Sequence, residues 1–163
     1  MSAIVVGLGS PGRGDDAVGP LVAAAVARTL DRRGSGDREI VVVQHEDPTD
    51  LVLAWDGRDL AVVVDAAVSG DEPGTLHLMD VGTEPVPPET WATLGLGGSH
   101  AYGLAEAIAL ARVLGRLPTR VSLVLVEAGD LSVEAPLSEA VANAVPRAVD
   151  AVLAALEVDR VPR

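Results

Sequence analysis

Ile4-Val5-Val6-Gly7-Leu8-Gly9-Ser10-Pro11-Gly12-Arg13-Gly14-Asp15-Asp16-Ala17-Val18-Gly19-Pro20 is the stretch from which the rest of the chain is read. It opens as a short apolar run, breaks into glycines, and reaches two adjacent carboxylates where a helix should begin. That order predicts a buried strand, a tight turn and a helix N-terminus. Ligands of open α/β sheets collect at such strand-to-helix crossings, which places Asp15 and Asp16 at the rim of a candidate site. The same two acids are also read as residues that favour the positive end of a helix dipole.

Outward from this stretch, strands and helices alternate. Ala3 to Leu8 reads as the first strand and Ala17 to Leu30 as the first helix, with Pro20 tolerable within its first turn. A polar loop, Asp31 to Arg38, leads to a second strand, Glu39 to Gln44. Asp47 is placed as an N-cap with Pro48 at the first helical position, and a short helix runs to about Trp55. Leu60 to Asp65 is a third strand whose only charge lies at its C-terminal end. Ala66 to Gly98 is less regular, with a short edge strand at Thr75 to Met79. A helix from about Tyr102 to Leu114, a strand from Thr119 to Val126 and a helix from Ser138 to Leu156 complete the series. Pro146 is expected to kink or divide the last helix. The alternation predicts an α/β fold: one three-layer domain over residues 1–163, its twisted sheet mostly parallel and flanked by helices on both faces.

Composition narrows the function classes. The chain has 163 residues, 48% of them hydrophobic, enough to bury a real core of small and branched aliphatics. Its net charge of −12 makes nucleic acid and anionic membranes poor partners, whereas a metal ion or a cationic peptide would be well received. The absence of cysteine removes disulfides, thiolate nucleophiles and thiolate metal sites together. No signal sequence and no apolar run of bilayer length is visible, so a cytoplasmic protein is expected; a monomer is expected as well.

Three constellations could carry chemistry. Gly7, Gly9 and Gly12 match a dinucleotide fingerprint, but Asp15 and Asp16 put negative charge where a pyrophosphate would bind, and Pro11 lacks an amide hydrogen. Gly97-Gly98-Ser99-His100-Ala101 falls one residue short of a nucleophile elbow. A serine hydrolase there would need a histidine from elsewhere, and neither His45 nor His77 stands in a recognisable triad context. The better constellation is Asp16, Asp65 and His100, which a parallel sheet brings to its C-terminal edge. Two carboxylates and an imidazole suit nickel, zinc or a similar divalent ion with positions left open. The alternative reading keeps them as a helix-dipole acid, a strand-end acid and a helix-capping histidine.

The first segment, Val63-Val64-Asp65-Ala66, Pro73-Gly74-Thr75 and Ser99-His100-Ala101-Tyr102-Gly103-Leu104 together strongly resemble the [NiFe]-hydrogenase maturation endopeptidases. The last helix, with Pro146 ahead of Ala151-Val152-Leu153-Ala154-Ala155-Leu156, is similar too. The resemblance implies that Asp16, Asp65 and His100 bind a metal. It also implies removal of a C-terminal peptide from a hydrogenase large-subunit precursor after nickel insertion, by peptidases classed as aspartic-type. Nickel then arrives with the substrate as the recognition signal, and zinc or cadmium could substitute. Two departures stand out. Ser10 occupies a position where the family commonly has asparagine, and the family's acid-Gly-Gly-Thr turn appears as Glu46-Asp47-Pro48-Thr49. The competing class is a binding protein that recognises a metal-loaded partner without cutting it. A likeness of Gly-Leu-Gly-Ser-Pro-Gly to peptidyl-tRNA hydrolases is set aside, because the basic RNA-binding character and the catalytic histidine after the turn are missing.

Overall fold

A computed structural model describes residues 1–82, 84–94 and 103–158. The strands are β1 (Ser2–Leu8), β2 (Glu39–His45), β3 (Leu60–Ala67), β4 (Leu76–Val81) and β5 (Arg120–Glu127). The α-helices are α1 (Val18–Arg33), α2 (Leu51–Ala54), α3 (Pro88–Thr93), α4 (Leu104–Val113) and α5 (Glu139–Glu157). One-turn 3-10 helices at Gly14–Ala17 and Pro48–Asp50 lead into α1 and α2. The five strands form one sheet in the order β2-β1-β3-β5-β4. β1 pairs in parallel with β2 and β3, and β3 with β5, while β4 runs antiparallel to β5 at the edge.

Alternation along the strands sorts the side chains into two cores. Ile4, Val6, Leu8, Ala61 and Val63 face α2, α3 and α4, where Trp55, Trp91, Leu104 and Ile108 are buried with them. Ala3, Val5, Val62 and Val64 face α1 and α5, against Val18, Val22, Val141 and Val152. Being covered on both sides, the central strands are apolar almost throughout, as buried parallel strands must be. The expected α/β sheet with helices on both faces is therefore found. Among the described residues no helix is long and apolar enough to cross a membrane.

Several boundaries differ from the sequence reading. α1 runs on to Arg33, where two arginines suit the negative end of the helix, and Gly34 at φ 75° stops it. α3 forms within a stretch read as irregular, with Pro88 at its first position and Trp91 buried beneath it. Pro146 does not divide α5, which is continuous across it. A proline in a helix interior costs about 3 kcal/mol. Here Val141 and Ala144 before it and Ala148, Val152 and Leu156 after it are all buried on one face, which outweighs the lost hydrogen bond.

Gly7 and Gly19 have a packing role. A Cβ on Gly7 would lie 2.4 Å from the Gly19 carbonyl oxygen, and one on Gly19 only 2.0 Å from that of Leu8. Helix α1 thus rests backbone to backbone on β1. Close contact of this kind accounts for Gly7 with no nucleotide involved.

Candidate active site

The strand order fixes where a ligand can enter. From β1 the chain crosses to β2 by α1 on one face, then returns past β1 to β3 by α2 on the other. The C-terminal ends of β1 and β3 therefore flank the topological switch point, the crevice where open α/β sheets bind ligands. Asp16 lies in the 3-10 turn after β1, and this turn packs against β3. Asp65 lies near the end of β3, paired with Leu125 of β5. Since Ala61, Val63 and Ala67 belong to the core beneath α2 and α4, Asp65 shares that face.

The two carboxylates interact electrostatically there. Burial, and second the nearby charge of Asp16, push the Asp65 carboxyl up to about 8, against one opposing hydrogen bond from the Ala66 amide. That amide donates to Asp65 Oδ1 at 2.8 Å, and the Ser10 amide donates to Asp16 Oδ2 at 2.8 Å. Among the described residues no hydrogen bond occupies Asp16 Oδ1 or Asp65 Oδ2. Each side chain is thus held by one oxygen and offers the other. Two crowded carboxylates of this kind suit a divalent cation, which would relieve their repulsion. No group of three or more His, Cys, Asp or Glu among the described residues is arranged to hold a metal ion. His100, the third expected ligand, lies outside the described residues, as does Ser99 of the near-elbow motif.

The turn carrying Asp16 tolerates little change. Gly9 has φ +137°, and a Cβ there would stand 2.0 Å from the Asp16 carbonyl oxygen. Gly9→Ala is expected to cost roughly 3 kcal/mol through backbone strain and overlap. Equilibrium urea unfolding measures it, and a loss under about 1 kcal/mol would mean that the turn relaxes freely.

Asp15 proves different from the helix-dipole acid expected at that position. It is wholly buried and is bonded into the segment between β5 and α5. Burial alone would raise its pKa, but hydrogen bonds from Ser138, Asp130 and Gly129 together hold it below the usual carboxylate range.

A second buried acid, Glu127 at the end of β5, was not singled out in the sequence. It accepts hydrogen bonds from the amides of Ser69 at 2.8 Å and Gly70 at 3.0 Å and from Ser69 Oγ at 2.7 Å. His77 Nε2 lies 3.2 Å from its Oε2 and 3.5 Å from Asp71 Oδ2. Serine, histidine and acid are all present, yet Ser69 Oγ and Glu127 share the same ring nitrogen. A relay needs the acid on Nδ1 and the serine on Nε2, so this cluster fastens the loop after β3 and is no catalytic triad.

The altered turn Glu46-Asp47-Pro48-Thr49 also has a local explanation. Asp47 caps the helical turn, accepting from the Thr49 amide at 2.9 Å and from its hydroxyl at 2.8 Å. Pro48 follows at the first position and packs on Gly103, where a Cβ would come within 2.6 Å of the proline ring. The departure supplies a cap and a contact to the start of α4.

A model of the hydrogenase maturation protease family, HycI, matches residues 25–155, and the chain belongs to that family of peptidases. The matched span contains Asp65 and His100 and begins after Asp16. Similar solved structures include the hydrogenase maturating endopeptidase HybD from Escherichia coli, 27% identical with a TM-score of 0.76, the match covering 98% of this chain and 94% of that one. An endopeptidase from Escherichia coli is 26% identical with a TM-score of 0.79 and the same coverage, 98% and 94%. A hydrogenase 2 maturation peptidase from a Thaumarchaeota archaeon is 27% identical with a TM-score of 0.64, over 96% of this chain and 98% of that one. Comparison with individual curated sequences gives no match.

Proposed function

We propose that this protein removes the C-terminal peptide of a [NiFe]-hydrogenase large-subunit precursor after nickel insertion, the inserted nickel being the signal it recognises. One observation carries the reading: Asp16 and Asp65 crowd together at the switch point, each with an oxygen to spare, in a chain that belongs to the hydrogenase maturation proteases. Asp16, Asp65 and His100 would hold the substrate's nickel, with zinc or cadmium as possible stand-ins. The ion would polarise the scissile carbonyl or activate a water for attack. Without cysteine, and with Ser69 tied to Glu127, water is the nucleophile that fits.

Mass spectrometry of the precursor before and after incubation tests the proposal. The nickel-loaded precursor should lose its C-terminal peptide, and the nickel-free one should stay intact. A loaded precursor that binds but keeps its mass would make the protein a recognition module. His100→Ala is expected to lose processing while far-UV circular dichroism stays unchanged.

A further inference from the structure

Asp15 is a fully buried carboxylate in a protein of net charge −12, and among the described residues no cation pairs with it. Its charge is met by four hydrogen bonds instead. The Ser138 amide donates to Oδ1 at 2.7 Å, while Gly129 N, Asp130 N and Ser138 Oγ donate to Oδ2 at 2.7, 2.9 and 2.9 Å. Gly129 and Asp130 follow the end of β5, and Ser138 caps α5, so one side chain ties together both ends of the connecting segment. Backbone bonds reinforce the seam: Asp15 N to Asp130 O at 2.7 Å, Gly14 N to Ala135 O at 3.2 Å, and Glu134 N to Gly12 O at 2.8 Å.

These bonds give Asp15 a structural role, since removing it would strand the amides of Gly129, Asp130 and Ser138. The position of the charge matters more. Asp15 and Asp16 are successive residues of a single 3-10 turn, Gly14–Ala17, and this turn has no side-chain cap at its N-terminus. Successive side chains of such a turn project about 120° apart. Fixing the direction of one therefore fixes the direction of the next.

We infer that Asp15 is a positioning residue: by locking the turn onto the β5–α5 segment, its buried carboxylate aims Asp16 at the Ser10 amide and toward Asp65. The role assigned to Asp16 rests on the proposed function, whereas the positioning itself can be read without substrate. The Ser10 amide is the reporter, because it donates directly to Asp16 Oδ2.

The experiment is amide hydrogen exchange by NMR on the full chain, free of metal and precursor, for wild type and Asp15→Asn. Asparagine keeps the size but turns one acceptor into a donor facing backbone N–H groups. If Asp15 aims Asp16, exchange at Ser10 should accelerate ~10-fold or more along with Gly129, Asp130 and Ser138, while the core of β3 stays protected. Faster exchange at Gly129, Asp130 and Ser138 with Ser10 unchanged would overturn the inference and leave Asp15 a staple of the loop. Should Asp15→Asn fail to fold, Ser138→Ala removes one donor and keeps the charge. It should speed Ser10 exchange ~3-fold, and no change at Ser10 would again overturn the inference. With precursor, Asp15→Asn should lower kcat ~10²-fold and leave KM within ~3-fold, as misaimed chemistry does; a rise in KM at unchanged kcat would contradict positioning. A wild-type protein that cuts no precursor would sink the proposed function, and the Ser10 result would still decide the role of Asp15.

Discussion

Asp65→Asn is expected to abolish processing and yet leave a more stable protein. Its carboxyl titrates near 8 in the fold because burial, and second the charge of Asp16, oppose ionisation. In the unfolded chain it titrates at its ordinary value of 3.8. Between those two values the folded state binds a proton that the unfolded state has released. The stability linked to this group is therefore complete below pH 4 and is lost as pH rises toward 8. Asparagine has no proton to lose and retains an oxygen for the Ala66 amide. The advantage of the variant should grow through that window and reach about 2–4 kcal/mol at pH 8. Processing should fall at least ~10³-fold, because a neutral amide is a poor ligand and cannot offset a cation's charge. Urea unfolding at pH 5 and pH 8, beside precursor cleavage, measures both effects. A variant less stable than wild type at pH 8 would mark Asp65 as a structural carboxylate rather than one held ready for a cation.

The place of Asp65 in the fold was legible in the sequence. Val62, Val63 and Val64 announce a strand buried on both faces, and the single charge after them falls where parallel sheets place their sites. Asp47 and Pro48 were readable for a similar reason, since a cap and its first helical residue are neighbours in the chain. Asp15 was not. In sequence it reads as a second acid at the helix start, and its buried role is supplied by Gly129, Asp130 and Ser138, more than a hundred residues away. The fate of Pro146 likewise depended on what lies under α5. Packing against α1 and the sheet holds that helix together across a residue that would divide it in isolation. The first turn lies between these cases. Its glycines fit several motifs, and only the approach of Gly19 to Gly7 shows that Gly7 serves the contact between α1 and β1, whereas Gly12 has open space around it.

Glu127→Ala should be the most destabilising single change near the site, costing roughly 3–5 kcal/mol. The residue is 1% exposed, and its side chain accepts from two backbone amides and a hydroxyl of the loop that follows β3. Removing it strands the amides of Ser69 and Gly70 and leaves His77 with Asp71 and Ser69 Oγ. That loop begins three residues beyond Asp65, so its release should also slow processing even though Glu127 would touch no substrate. Glu127→Gln separates the contributions. It keeps an oxygen for the amides but gives up the charge beside His77, and about half of the loss should return if the hydrogen bonds dominate. A glutamine variant as unstable as the alanine variant would instead assign the stabilisation to the charge. Urea unfolding supplies the energies, and limited proteolysis shows where the chain opens, with new cleavage expected around Val68 to Asp71. If Glu127→Ala unfolds within about 1 kcal/mol of wild type and the loop stays resistant, neighbouring donors have found water, and the loop is held by its backbone pairing to β5 alone.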